Sequence, residues 1–268
     1  MKQANINGLS VGFIEKGEGE ALILLHGGVS DSRYWEEEID SFSKKFRVIS
    51  WDAPGCGISD DPPNHFSLAD YADTLDGLID HLNIQHPHIL GISFGGGLAI
   101  AYYERYPVKP QTLILVSAYA GWAGSLPQDE VSQRVQQARI QAKMDRDIVA
   151  ESWLSSLFSS KATEEMKEKV KSVIKDFHPE GMLVMLEAFA DADLRGVLPN
   201  ISVPTLLLYG EEDVRSPIHV AQEIDQLIPD SELMIIPGTG HLVNLEVPNL
   251  FKTQVTDFIV KNSQTHPS

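Results

Sequence analysis

Short runs of almost unbroken Val, Ile and Leu alternate with stretches of helical periodicity along most of this chain, and that alternation leaves few folds open to it. The runs fall at residues 11–15, 21–25, 47–51, 88–91, 112–116, 205–209 and 233–236. A strand with one wet face alternates apolar and polar residues, whereas a continuous apolar run marks a strand buried on both faces of a parallel sheet. Between the runs, residues 68–82 carry apolar side chains at helical spacing, and 94–105, 219–227 and 248–260 read as further helices. Strand and helix in turn predict an α/β architecture.

The alternation breaks between residues 118 and 193, where helix-like segments at 130–144, 147–158, 163–176 and 180–190 follow one another without a strand. Strand character resumes at Ile201-Ser202-Val203-Pro204-Thr205. We therefore expect a core built from 1–118 and 193–268, interrupted by a helical cap at 119–192. The length, 268 residues, suits one large domain carrying such an insertion. A hydrophobic fraction of 43% supports a packed interior. Disorder is expected only in the polar tail 261–268.

The net charge of −17 repels phosphate backbones and anionic membranes, which argues against nucleic acid as a partner. Cys56 is the sole cysteine, so no intrachain disulfide forms. The first eight residues lack an apolar signal core, and no apolar run approaches the roughly 20 residues that span a bilayer. A cytoplasmic protein without membrane insertion is the expectation.

Chemistry enters at Gly91-Ile92-Ser93-Phe94-Gly95, between an apolar strand and a helix. A serine at so sharp a turn sits in strained backbone geometry, its neighbours two positions away must be small, and the helix start places free N–H groups beside it. Gly95, Gly96 and Gly97 reinforce the signal, because each glycine in a helix costs up to about 1 kcal/mol against alanine. No phosphate-loop pattern is present. Ser93 is the candidate nucleophile.

A serine hydroxyl needs a base, and an imidazole serving as that base needs a carboxylate to hold its tautomer. After the run 205–209 come Glu211, Glu212 and Asp213, which compete for the acid role. After the run 233–236 comes Pro237-Gly238-Thr239-Gly240-His241, a loop well placed to carry a base over the strand ends. The remaining histidines show no metal-ligand spacing. No metal site and no cofactor are expected. The run 21–25 leads into His26-Gly27-Gly28, a loop suited to offer N–H groups to a negative oxygen; each such donor is worth about 3–4 kcal/mol. Phe94, after the nucleophile, and Gly28 are the candidate donors, and His26 is expected to fix the loop. The loop from Asp52 to Ser59 reads as scaffolding, and neither Ser59 nor Cys56 has the setting of a nucleophile.

Taken in order, His26-Gly27-Gly28, the Asp52-to-Ser59 loop, Gly91 to Gly95, Asp213 and His241 resemble the α/β-hydrolase fold superfamily, and the segment from Gly240 to Pro248 is similar to its histidine loop. The resemblance favours Asp213 among the three acids. It implies a mostly parallel eight-stranded sheet with the cap inserted after the sixth strand. It also implies hydrolysis of a carboxylic ester or lactone of a small molecule through an acyl-enzyme on Ser93. Serine at the turn argues against the haloalkane dehalogenases and epoxide hydrolases, which carry aspartate there. A C–C bond hydrolase, thioesterase or cofactor-free perhydrolase, or a slow receptor-like protein of the same fold, would use the same residues. Trp122, Trp153, Phe158 and Phe189 of the cap, with Leu242 beside the base, are candidates to line an acyl pocket, against ordinary packing.

Overall fold

A hairpin that the apolar runs did not announce begins the molecule. In the computed structural model, which describes residues 1–263, strand β1 (Lys2–Ile6) folds back on β2 (Leu9–Lys16). Asn7 and Gly8 between them have φ of 53° and 91°. Two left-handed residues are what a two-residue hairpin turn needs, and Asn-Gly supplies them. Six further strands follow: β3 (Ala21–Leu25), β4 (Arg47–Trp51), β5 (His88–Ile92), β6 (Thr112–Val116), β7 (Thr205–Gly210) and β8 (Ser231–Ile236). The sheet order is β1-β2-β4-β3-β5-β6-β7-β8. Only the β1–β2 and β2–β4 pairs are antiparallel. All seven predicted runs are strands, and the expected mostly parallel eight-stranded sheet is present. Strands β3, β5, β6 and β7 are buried along their whole length, which is why they read as unbroken apolar runs.

The helices are α1 (Glu36–Phe42), α2 (Leu68–His81), α3 (Phe94–Arg105), α4 (Gln128–Gln141), α5 (Arg146–Leu157), α6 (Glu164–Ile174), α7 (Pro179–Ala190), α8 (Ile218–Leu227), α9 (Val243–Glu246) and α10 (Pro248–Ser263). Local chemistry sets several starts. Ser67 and Asp70 form a reciprocal capping box at α2, Asp145 caps α5, and Thr163 caps α6. Residues 261–263, expected in a disordered tail, instead complete α10; residues 264–268 lie outside the described part. Helices α4 to α7 occupy the chain between β6 and β7, where α5 packs on α6 and α4 on α7.

Parallel register brings the ends of five strands to one rim. Leu25 pairs with Gly91, Ile92 with Val116, Val116 with Leu208, and Gly210 with Ile236. The segments leaving that rim are His26-Gly27-Gly28, Ser93, Ser117, the acidic loop through Asp213, and the loop through His241.

Candidate active site

Ser93 stands between β5 and α3 with φ 55° and ψ −115°, a conformation that L residues rarely adopt. Its N–H is held by the Val116 carbonyl at 2.9 Å, and its own carbonyl accepts from Gly96 and Gly97. The flanking glycines are required by contact: a Cβ on Gly91 would lie 2.1 Å from the Gly95 oxygen, and one on Gly95 would lie 2.3 Å from the Leu25 oxygen. The turn is thus locked by strand, helix and the neighbouring strand end. The hydroxyl caps no N–H of the helix it opens.

His241 lies beside this turn on the loop after β8. Its Nδ1–H donates to Asp213 Oδ2 at 2.8 Å, and both side chains are almost wholly buried. Because a carboxylate only accepts, this bond fixes the proton on Nδ1 and leaves Nε2 with its lone pair. Burial pushes the Asp213 carboxyl up, but the adjacent imidazole and the Ser216 N–H outweigh it and hold the group below its ordinary range. Asp213 Oδ1 accepts from the N–H groups of Arg215 and Ser216, each at 2.9 Å. The histidine backbone is pinned from two sides. The Ser117 hydroxyl donates to the His241 carbonyl at 2.9 Å, and the Leu157 carbonyl of the insertion accepts from the N–H groups of His241 and Leu242.

One cavity, with about 660 Å³ of space between atoms including its mouth, is bordered by Ser93, His241, Gly28, Phe94, Trp122, Trp153, Phe189 and Leu242. Asp213 lies behind His241 and does not reach the cavity surface. Ser93 and His241 share the cavity wall without a hydrogen bond between their side chains among the described contacts, a common condition of resting sites. Phe158 departs from expectation, since it does not line the cavity while Leu157 does. Helix α5 ends at Leu157, and at Phe158 the chain turns extended (φ −119°, ψ 152°), off the helix face that carries Trp153 and Leu157. Phe189 is also a packing residue, edge-on to Phe94 and Tyr119 and against Trp122.

The glycine loop after β3 is held by His26. Its Nδ1–H donates to the Gly27 carbonyl at 2.7 Å, and Nε2 accepts from the Ala53 N–H at 3.0 Å. Burial lowers its affinity for a second proton. Val29, after Gly28, has φ 56°, a rare conformation for a β-branched residue. The second loop is scaffolding: Ser59 donates to the Asp52 carbonyl and accepts from the Gly12 N–H, while the Asp52 carboxylate receives Ser32 N–H and Ile58 N–H. Burial pushes the Cys56 thiol well up, away from nucleophilic character. Glu211 and Glu212 are exposed, and Glu211 also receives the Gly238 N–H at 2.9 Å.

Several lining residues were not anticipated from sequence, among them Tyr34, Tyr119, Arg134, Leu186 and Arg215. Arg215 had an available signal, lying two residues after Asp213 on the same rim loop. Arg134 had none beyond its place in the insertion. Among the described residues, no group of three His, Cys, Asp or Glu is disposed to hold a metal ion, and no helix is long and apolar enough to cross a membrane.

Comparison with known proteins places the fold in a family. The family described as alpha/beta hydrolase fold matches residues 20–248. The AB hydrolase superfamily protein YisY of Bacillus subtilis is 28% identical over 239 residues, covering 85% of this chain and 88% of its own. A pimeloyl-[acyl-carrier protein] methyl ester esterase of Vibrio campbellii is 28% identical over 250 residues, covering 90% of this chain and 95% of its own. Among solved structures, a thermophilic esterase from Thermogutta terrifontis superposes with a TM-score of 0.91 at 27% identity, covering 98% of this chain and 99% of the other.

Proposed function

Because this chain belongs to the alpha/beta hydrolase fold family and is a hydrolase, we propose that it cleaves a carboxylic ester or lactone of a small molecule through an acyl-enzyme on Ser93. The observation that carries this reading is that a strained serine at a helix start and an imidazole with its tautomer fixed by Asp213 border one cavity. His241 Nε2 takes the hydroxyl proton as Ser93 Oγ attacks the carbonyl carbon. The Phe94 and Gly28 N–H groups receive the oxygen that becomes negative; the first N–H groups of a helix have no partner within it. The imidazolium, steadied by Asp213, returns the proton to the leaving alcohol. Water then attacks the acyl-enzyme by the same route, and Ser93 is restored. The sequence of steps uses side chains and backbone alone. Residues 119–192 act as a cap over the reacting carbonyl, with Trp122, Trp153 and Leu186 shaping the acyl pocket.

The test offers the purified protein a short-chain chromogenic ester and a fluorophosphonate probe, with Ser93→Ala alongside. Turnover and labelling in the wild type, both lost in Ser93→Ala, support the reading. An unlabelled Ser93, or ester turnover that survives Ser93→Ala, overturns it.

A further inference from the structure

Charge in the cavity runs against charge in the chain. The protein has 38 acidic residues against 21 Lys and Arg, yet no aspartate or glutamate borders the cavity, while Arg134 and Arg215 do. The two arginines differ in their commitments. Arg134 is paired with Glu130 at 2.7 Å and also donates to the Tyr119 hydroxyl and the Arg215 carbonyl. Arg215 forms no ion pair among the described residues. Its Nη1 donates to the Ser156 hydroxyl at 2.9 Å, and its guanidinium lies 4.2 Å from the centre of the Trp153 ring. The carboxylate nearest in sequence, Asp213, has its oxygens committed to His241 and to two backbone N–H groups.

A guanidinium has five N–H donors in a planar fork that matches a carboxylate. Here the fork is half-buried, its central carbon lies over an indole ring, and it has no anionic partner among the described residues. Leaving a charge desolvated and unpaired is costly, and a ring face offsets only part of that cost. Placement adds to the argument. Arg134, Arg215, Trp122, Trp153 and Leu186 border both the inner cavity and an open groove on the outside of the insertion. They form a shared wall between that groove and the cavity that holds the serine, so both cations stand where a bound molecule can reach them.

We propose that Arg215, with Arg134 beside it, recognises a carboxylate carried elsewhere on the same ester or lactone, so that the preferred substrate is an anionic half-ester or its cyclic equivalent. The inference rests on the acyl-hydrolase reading above. It also assigns Arg215 a role besides linking the acid loop to the insertion through Ser156 and Trp153.

The experiment compares kcat/KM for matched charged and neutral esters. One arm uses monomethyl esters of straight-chain dicarboxylic acids of increasing length against their dimethyl esters. The other uses acetyl esters of hydroxy acids against acetyl esters of the corresponding alcohols. The first arm places the carboxylate on the acyl side and the second on the leaving group. In the wild type, one arm is expected to favour the charged ester by about tenfold or more, the effect of one charge-assisted pair. In Arg215→Gln that ratio falls roughly tenfold to a hundredfold, with partial recovery in Arg215→Lys. A merely structural arginine would depress charged and neutral esters alike and leave the ratio unchanged, which overturns the proposal. So does a wild type with no charge preference in either arm, and this comparison decides by itself where Arg215→Gln does not fold. Calorimetry of free dicarboxylates on Ser93→Ala, with and without Arg215→Gln, separates the two readings. Arg215-dependent binding without any ester turnover keeps the anion site and removes the hydrolase mechanism. Rapid turnover of neutral esters with no dicarboxylate binding does the reverse.

Discussion

Gly55 and Gly181 meet backbone against backbone: a Cβ on Gly181 would stand 2.5 Å from the Gly55 Cα and 2.6 Å from its carbonyl oxygen. Gly55 belongs to the loop after β4 and Gly181 to the first turn of α7, so this contact seats the helical insertion directly on the sheet domain. Gly181→Ala in an isolated helix would be favourable by up to about 1 kcal/mol. Here overpacking should dominate, and we expect a loss of about 1–3 kcal/mol, seen as a lower Tm. A Tm at or above the wild-type value would show that the insertion does not rest on this contact.

Glu38, in α1, has both carboxylate oxygens buried without a hydrogen-bond partner. Burial raises its pKa to about 7, with the Lys252 charge offsetting a part. The folded protein therefore holds a proton that the unfolded chain releases near 4.5. Stability is greatest below the unfolded value, falls as pH rises between the two, and carries the full penalty above the folded value. Glu38→Gln removes the titration. We expect it to be more stable than the wild type at pH 8 by on the order of 3 kcal/mol, with the difference shrinking towards pH 5. Denaturation curves across that range check it, and equal slopes for both proteins contradict it.

The parts of the site that could be read from sequence are those where a local backbone demand writes itself into residue type. Gly91 and Gly95 are glycines because the strand, helix and Leu25 carbonyl leave no room for a Cβ, and the central strands are unbroken apolar runs because both faces are covered. β1 escaped because its burial runs exposed, exposed, buried, exposed, buried along a polar edge strand; the Asn7-Gly8 pair was the signal that marks it. α1 is short and presents only Ile39 and Phe42 as apolar residues. The cavity wall was least legible. Whether Arg215 or Phe158 faces inward depends on how α4 to α7 settle on the rim, which no periodicity within one helix encodes.

In the proposed mechanism Asp213 acts through the imidazole it holds, and the amide of Asp213→Asn leaves His241 free to take the other tautomer. We expect kcat for a simple ester to fall by about 10³–10⁴ with a far smaller change in KM. The same carboxyl contributes to stability. Its pKa lies below the ordinary value of 3.8, so its contribution is present above that value and is lost as pH falls through the folded one. Acid unfolding of Asp213→Asn should therefore lack this component. Wild-type kcat in the variant would remove Asp213 from the acid role.

Glu246 joins the insertion to the histidine loop. Its Oε1 accepts from the N–H groups of Ser159 and Gly240, each at 3.0 Å, and Oε2 accepts from the Ser159 hydroxyl. Gly240 immediately precedes His241, and Ser159 follows the end of α5, so one carboxylate fixes the His241 loop and the cavity wall relative to each other. Glu246→Ala leaves two N–H donors unpaired in a half-buried site, at a cost of about 2 kcal/mol. It also frees the loop, so kcat should fall by roughly tenfold or more, because small displacements of a reacting group are expensive. Glu246→Gln is the discriminating companion. Its single carbonyl can take the Oε1 position and receive both N–H groups, while its amide turns to a Ser159 hydroxyl that is able to accept. Glutamine should therefore retain most of the activity and stability that alanine loses. If alanine and glutamine are equally impaired, the negative charge and not the bridge is what the site requires; if neither is impaired, the histidine loop is held without Glu246.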